Sequence, residues 1–260
     1  MKFVSGICSD TGNVKKVNQD AALVRQAETD NGRVLLAVVC DGMGGLQKGE
    51  LASSTVVRRM SDWFEESLPS LLYSGLTPAS IKESWTSLLD RINDEISVFG
   101  DNQGIHLGTT ITALLLVKDA YYICNVGDSR IYQLTEEIRQ LTRDQSYVQQ
   151  EMDMGRMTKE EALRSSKRNV LLQCIGVGER VIPDYYIGEF APPSAFLLCS
   201  DGFRHMLSGE EILNELYPED LAGEDDIEMK LRKLIDVVKN RREDDNITAV
   251  LVKVLQEDVC

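Results

Sequence analysis

The chain has 260 residues, 43% of them hydrophobic, which suits one continuous core better than a string of small modules. Its 42 Asp and Glu against 28 Lys and Arg give a formal net charge of -14, which opposes binding to nucleic acid or to an anionic membrane surface. The six cysteines (Cys8, Cys40, Cys124, Cys174, Cys199 and Cys260) form no Cys-x-x-Cys pair and have no neighbouring histidine ligands. This argues against zinc fingers and disulfide frameworks. With no signal peptide and no apolar run of membrane-spanning length, a soluble cytoplasmic protein is expected.

In chain order, a strand is expected near residues 21–25 and another at 33–40 (RVLLAVVC), where a short β-branched apolar run reads as a buried strand. A helix over 50–66 buries Ala52, Val56, Val57, Met60 and Phe64, and one through 81–99 places Ile81, Trp85, Leu88, Leu89, Ile92, Ile96 and Phe99 on one face. Strands follow at Ile111–Val117 and Ala120–Val126; only Lys118 and Asp119 separate them, so they must pair antiparallel. From 142 to 184 the sequence turns polar, with short helices at 147–154 and Lys159–Arg164, and reads as a mobile insertion beside a site. A strand at 195–199, a helix carrying Ile227, Leu231, Leu234, Ile235 and Val238, and a strand at Ile247–Leu255 complete an α+β chain of helices packed on antiparallel sheets. No repeat or Pro/Gly-rich linker divides residues 1–260, so one domain is expected.

Three apolar strands run into an aspartate in similar fashion: Val-Val-Cys-Asp41-Gly42, Asn125-Val-Gly127-Asp128 and Leu-Cys-Ser200-Asp201-Gly202. A single Asp-Gly is most simply a turn signal. Three at the mouths of buried strands point elsewhere, because a carboxylate there is costly to bury unless it is paired or binds a metal. Asn18-Gln19-Asp20 and Asp244-Asp245-Asn246 add two more acidic strand boundaries. All-oxygen ligands suit the hard cations Mg²⁺ and Mn²⁺, which retain several waters and commonly act on phosphate esters. The glycine-rich stretch after Asp41 is no P-loop: Lys48 precedes Gly49 and Glu50 where that motif needs Gly-Lys followed by Ser or Thr.

Taken in order, Asn18-Gln-Asp20, Asp41-Gly-Met-Gly-Gly45, Gly108-Thr-Thr110, Asn125-Val-Gly-Asp128-Ser-Arg130, Ser200-Asp-Gly202 and Asp245-Asn246 resemble the motif series of the PPM-type (type 2C) protein phosphatases, of the bacterial type. The resemblance spans nearly the whole chain. It implies a four-layer αββα sandwich, two mainly antiparallel sheets flanked by helices, forming a single catalytic domain with a flap at about 142–184. It also implies two Mg²⁺ or Mn²⁺ ions in a cleft at the sheet edges, with a third in some members. In these terms Asp41 bridges both metals, the Gly42 carbonyl binds one, and Asp201 and Asp245 complete the direct ligands; Asp20 acts through metal-bound water, and Asp128 with Asp201 is nominated for the third ion. Asp41, Asp201 and Asp245 are thus the catalytic set.

The implied activity is hydrolysis of phosphoserine and phosphothreonine in proteins by a metal-activated water, reversing a Ser/Thr kinase, in a monomer. No cysteine sits in a Cys-x5-Arg loop, so Cys40 and Cys199 read as strand residues. Two departures stand out. Lys15 occupies the place of a phosphate-gripping Arg, giving charge without bidentate geometry. Met43 follows the first Asp-Gly where some relatives carry His, which leaves leaving-group protonation to water.

His106 and His205 read as surface or structural residues, Gly108-Thr109-Thr110 as packing beneath the site, Arg130 as a partner for a carboxylate, and Arg168 and Asn169 as flap residues that could touch a protein substrate. A catalytically weak sensor of the same fold and a small-molecule phosphoesterase are the alternatives. Retention of Asp20, Asp41, Asp201 and Asp245 argues against the sensor.

Overall fold

The computed structural model describes residues 1–30, 32–43 and 48–256. Gly44 and Gly45 of the glycine-rich motif and Cys260 lie outside the described residues. In chain order the strands are β1 (Lys2–Asp10), β2 (Ala21–Thr29), β3 (Gly32–Cys40), β4 (Ile111–Val117), β5 (Ala120–Val126), β6 (Arg130–Leu134), β7 (Ile138–Gln140), β8 (Asp184–Glu189), β9 (Ser194–Cys199) and β10 (Ile247–Leu255). The helices are α1 (Gly49–Glu66), α2 (Leu68–Tyr73), α3 (Pro78–Gln103), α4 (Tyr147–Asp153), α5 (Lys159–Arg164), α6 (Asp201–Arg204), α7 (Gly209–Glu215) and α8 (Glu224–Asn240).

The strands form two five-stranded sheets, β1-β10-β9-β6-β7 and β2-β3-β4-β5-β8, paired antiparallel throughout. The continuous apolar runs follow from burial on both faces. In β3, Val34, Leu36, Val38 and Cys40 pack against Val56, Met60 and Trp63 of α1 and Trp85 and Ile92 of α3. The intervening Leu35, Ala37 and Val39 face Phe196, Leu198, Val250 and Val252 of the other sheet. The outer face of that second partner, with Leu197, Cys199, Ala249 and Leu251, is covered by Ile227, Leu231, Ile235 and Val238 of α8. Strand alternation thus divides each sequence between two cores, giving the expected αββα layering. Each fully buried Val or Leu contributes roughly 1.5–3 kcal/mol.

The helix boundaries have local causes. Thr77 and Ser80 form a capping box with Pro78 in the first turn of α3, and Gly104 ends that helix in the left-handed conformation. Glu224, Asp225 and Asp226 complement the N-terminal dipole of α8, with Lys239 in its last turn. Residues 142–183 supply α4, α5 and two isolated bridges, Ser146 with Leu171 and Thr109 with Ile175; Asp184 then opens β8, so the expected insertion ends by extending a sheet edge. Among the described residues, no helix is long and apolar enough to cross a membrane.

Candidate metal centre

Register brings the acidic strand ends together. Ala21 pairs with Cys40, so Asp20 and Asp41 lie side by side just beyond the β2–β3 ladder. Asp128 follows β5, Asp201 opens α6 directly after β9, and Asp245 precedes β10, which pairs with β9 through Ala249 and Cys199. Both sheets thus present carboxylates at one shared edge. There, Lys15, Asp41, Asp128, Asp201 and Asp245 line a cavity of about 720 Å³, with Met43, His106, Thr110 and Asn169 also on its wall.

The scaffold beneath is made of backbone and short polar groups. The Asp41 N–H donates to Thr110 Oγ1 at 2.9 Å, and the Asp41 carbonyl accepts from the Thr110 N–H and the Thr109 hydroxyl, both at 2.9 Å. Thr109 and Thr110 therefore brace Asp41 from below, as the sequence indicated. Gly42 is required by packing: a Cβ there would lie 2.3 Å from the Gln19 carbonyl oxygen and 2.7 Å from the Gly49 backbone. Asn246 ties the loop bearing Lys15 and Asp20 to that bearing Asp245. Its Nδ2 donates to the Thr11 and Val17 carbonyls, and its Oδ1 accepts from the Gln19 N–H.

The cluster concentrates negative charge, as a cation site would require. Burial pushes the Asp41 carboxyl well above its ordinary value, reinforced by the charges of Asp20, Asp201, Asp128 and Asp245. Asp20 is pushed up to about 7, chiefly by burial, with the hydroxyls of Thr248 and Ser200 opposing and Asp201 and Asp245 adding to the rise. Asp128 also reaches about 7 through burial and the Asp201 charge, against the pull of Arg204. Asp20 Oδ2 and Asp201 Oδ1 are buried with no hydrogen-bond donor, a costly arrangement that a divalent cation would offset. Lys15 Nζ lies 2.9 Å from Asp245 Oδ1; burial acts to lower its pKa, but Asp245, Asp41 and Asp201 raise it overall. Among the described residues, no group of three or more His, Cys, Asp or Glu side chains is set to hold a metal ion as it stands.

Beyond the cavity wall, Arg130 forks onto Asp144 through Nε and Nη2 at 2.7 Å each, and Arg204 Nη2 donates to the Asp128 carbonyl at 3.0 Å. Arg130 thus pairs with a carboxylate as expected, and Asp144 is the partner the sequence left unnamed. Of the two flap residues, Asn169 reaches the main cavity, while Arg168 lines a separate chamber of about 150 Å³ that Asp128 also lines. His106 is on the surface and His205 faces two carboxylates, within their surface-or-structural reading, but both stand closer to the cluster than the sequence indicated. The exposed His106 faces the cavity, and His205 lies 3.7 Å from Asp201. Cys40 and Cys199, each near a cluster aspartate, are fully buried; burial pushes the Cys199 thiol up to about 12, the opposite of what a thiolate nucleophile needs.

Two antiparallel sheets between helix layers, with an acidic cleft at one shared edge, define the class of the PPM-type phosphatases. The chain belongs to the protein phosphatase 2C family, which matches residues 12–256. It is 31% identical over 245 residues to the serine/threonine phosphatase Stp of Listeria innocua, covering 90% of this chain and 93% of that one. Among solved structures, the serine/threonine phosphatase of S. agalactiae superposes with a TM-score of 0.83 at 32% identity, covering 98% of this chain and 100% of that one. The catalytic domain of the serine/threonine protein phosphatase PstP, in complex with two manganese ions, gives a TM-score of 0.78 at 27% identity, covering 98% and 100%.

Proposed function

We propose that this chain hydrolyses phosphoserine and phosphothreonine esters in proteins with Mg²⁺ or Mn²⁺, and that Asp41, the Gly42 carbonyl, Asp201 and Asp245 hold two ions. Asp20 acts on them through water, and Asp128 with Asp201 offers a place for a third. The observation that carries this reading is the gathering of Asp41, Asp128, Asp201 and Asp245 on one cavity wall, with Asp20 beside Asp41 and buried carboxylate oxygens that lack donors. When bound, the ions lower the pKa of water and offset charge on the phosphoryl oxygens.

The chain's own groups do the rest. Thr109, Thr110 and Asn246 fix the carboxylate-bearing loops before substrate arrives, so little reorganisation is needed during reaction. Lys15, one-third exposed at the cavity, supplies a positive charge for the substrate phosphate, as a point charge and not a fork. Asn169 on the wall gives the 142–184 flap a contact with a protein substrate. Residues 1–260 act as one catalytic domain, a cytoplasmic monomer that reverses the action of a Ser/Thr kinase.

The test is phosphate release from phosphothreonine and phosphotyrosine peptides and from nucleoside monophosphates, in EDTA and then with Mn²⁺ or Mg²⁺. Selective, metal-restored hydrolysis of the phosphothreonine peptide supports the proposal. Preference for nucleotides would make the chain a small-molecule phosphoesterase, and silence in every metal with the protein folded would make it a sensor.

A further inference from the structure

Asp201 and Asp245 come from neighbouring strands, yet both lie beyond the last ladder pair, Cys199 with Ala249, where one further backbone bond joins the Ser200 N–H to the Thr248 carbonyl. The sheet therefore does not fix the distance between their side chains. His205, the C-cap of α6, lies across this gap, with Nε2 3.7 Å from Asp201 Oδ2 and Nδ1 3.7 Å from Glu243 Oε2. Glu243 is 4% exposed, and its Oε1 accepts the N–H of Asp244 at 3.0 Å and of Asp245 at 3.3 Å. Arg242 precedes it in the left-handed conformation, φ 65°, a strained choice for a non-glycine residue at a tight turn.

An acidic side chain this buried is costly, and its Oε2 has no hydrogen bond to offset the cost. The turn backbone alone needs only Oε1. The remaining oxygen faces His205 Nδ1 at 3.7 Å, and the other ring nitrogen of His205 faces Asp201 at the same distance.

From this we infer that His205 and Glu243 form a positioning pair that sets the spacing of Asp201 and Asp245, and with it the affinity for the divalent cation. The inference rests on the reading of these two aspartates as cation ligands. His205 bears on Asp201 directly, and Glu243 holds the Asp245 loop by its backbone, so either partner transmits displacement to the other. Groups that orient a ligating carboxylate commonly change metal affinity by 10–100-fold when altered.

The experiment is a calorimetric titration of Mn²⁺ into the full chain as wild type, His205→Ala, Glu243→Gln and the double variant, each also melted in EDTA. Glu243→Gln keeps the Oε1 acceptor for Asp244 and Asp245 while changing what faces His205. Both single variants are expected to weaken the Mn²⁺ Kd about tenfold or more, with the EDTA melt nearly unchanged. The double variant should bind no worse than the weaker single one, because two members of one unit are not additive. A Kd within twofold of wild type in both single variants overturns the inference, as do losses that multiply in the double variant. If Glu243→Gln fails to fold, His205→Ala decides alone, its side chain being 20% exposed and so tolerant of truncation. A wild-type chain that takes up no Mn²⁺ would instead remove the metal reading itself.

Discussion

Gly202 offers a sharp test of how closely the start of α6 must approach the Asp245–Asn246 turn. A Cβ at this position would fall 2.2 Å from the Asn246 carbonyl oxygen and 3.4 Å from Asp245 Cβ. Since such contacts are not found below 3.0 Å, Gly202→Ala must separate the α6 start from the Asp245–Asn246 turn by about 0.8 Å. The blocking atom is backbone, and Asn246 also holds the 11–19 loop, so no side-chain rotation can absorb the shift.

Overpacking of this kind costs about 1–3 kcal/mol of stability, partly offset by alanine's better helix propensity. A displacement near 1 Å between groups that must act together costs about 100-fold in rate. Gly202→Ala should therefore keep its circular dichroism spectrum and lose about 100-fold in Mn²⁺-dependent kcat/KM on a phosphothreonine peptide. Gly209→Ala is the control: its Cβ meets only Ile138 Cγ2 at 3.2 Å, a side chain that can yield, and activity should be unchanged. Gly202→Ala activity within threefold of wild type would refute the reasoning that activity depends on this close approach of the α6 start to the Asp245–Asn246 turn.

Asp41→Asn should lower metal-dependent turnover at least about 100-fold and yet raise the melting temperature in EDTA near pH 8, because it removes one of several repelling carboxylates; equal loss of both would mark Asp41 as merely structural. For Asp20 and Asp128 the folded-state pKa, about 7, lies above the ordinary 3.8, so between these values the metal-free folded state holds more protons than the unfolded chain. Their contribution to stability thus falls as pH rises through that window, and melts in EDTA should show a decline that saturating Mn²⁺ suppresses. Arg130→Ala leaves Asp144, 9% exposed, without its forked partner and should cost about 3–5 kcal/mol in urea unfolding. Lys15→Ala should raise KM for a phosphopeptide more than it lowers kcat; the reverse split would remove Lys15 from substrate binding.

The strands that carry most of the site were readable because they are buried on both faces: β3, β4, β5, β9 and β10 are near-continuous apolar runs. Those that escaped reading lie nearer sheet edges or carry mixed sequence. β1 (KFVSGICSD) mixes small and polar residues with a few buried ones, β7 is three residues long, and β8 (DYYIGE) has acidic ends and no fully buried residue.

The carboxylates were legible for a local reason, an Asp at the mouth of an apolar strand being hard to explain otherwise. Asp144, Arg204, His205 and Glu243 had no such local sign. Each gains its meaning from a partner distant in sequence that only the sheet register brings near, as Glu243 does when β9 and β10 set the turn before Asp245 against α6. His106 escaped for the same reason, standing on a loop whose approach to Asp41 is made by the Gly42–Thr109 bridge.

The most direct test of the account is Mn²⁺ stoichiometry measured together with phosphothreonine-peptide hydrolysis, on metal-stripped wild type, Asp41→Asn and Asp201→Asn. The account predicts at least two ions bound to wild type, activity only when they are present, and loss of both binding and turnover in folded variants. Full activity of the wild type in EDTA, or unimpaired Mn²⁺ binding by both variants, would contradict it.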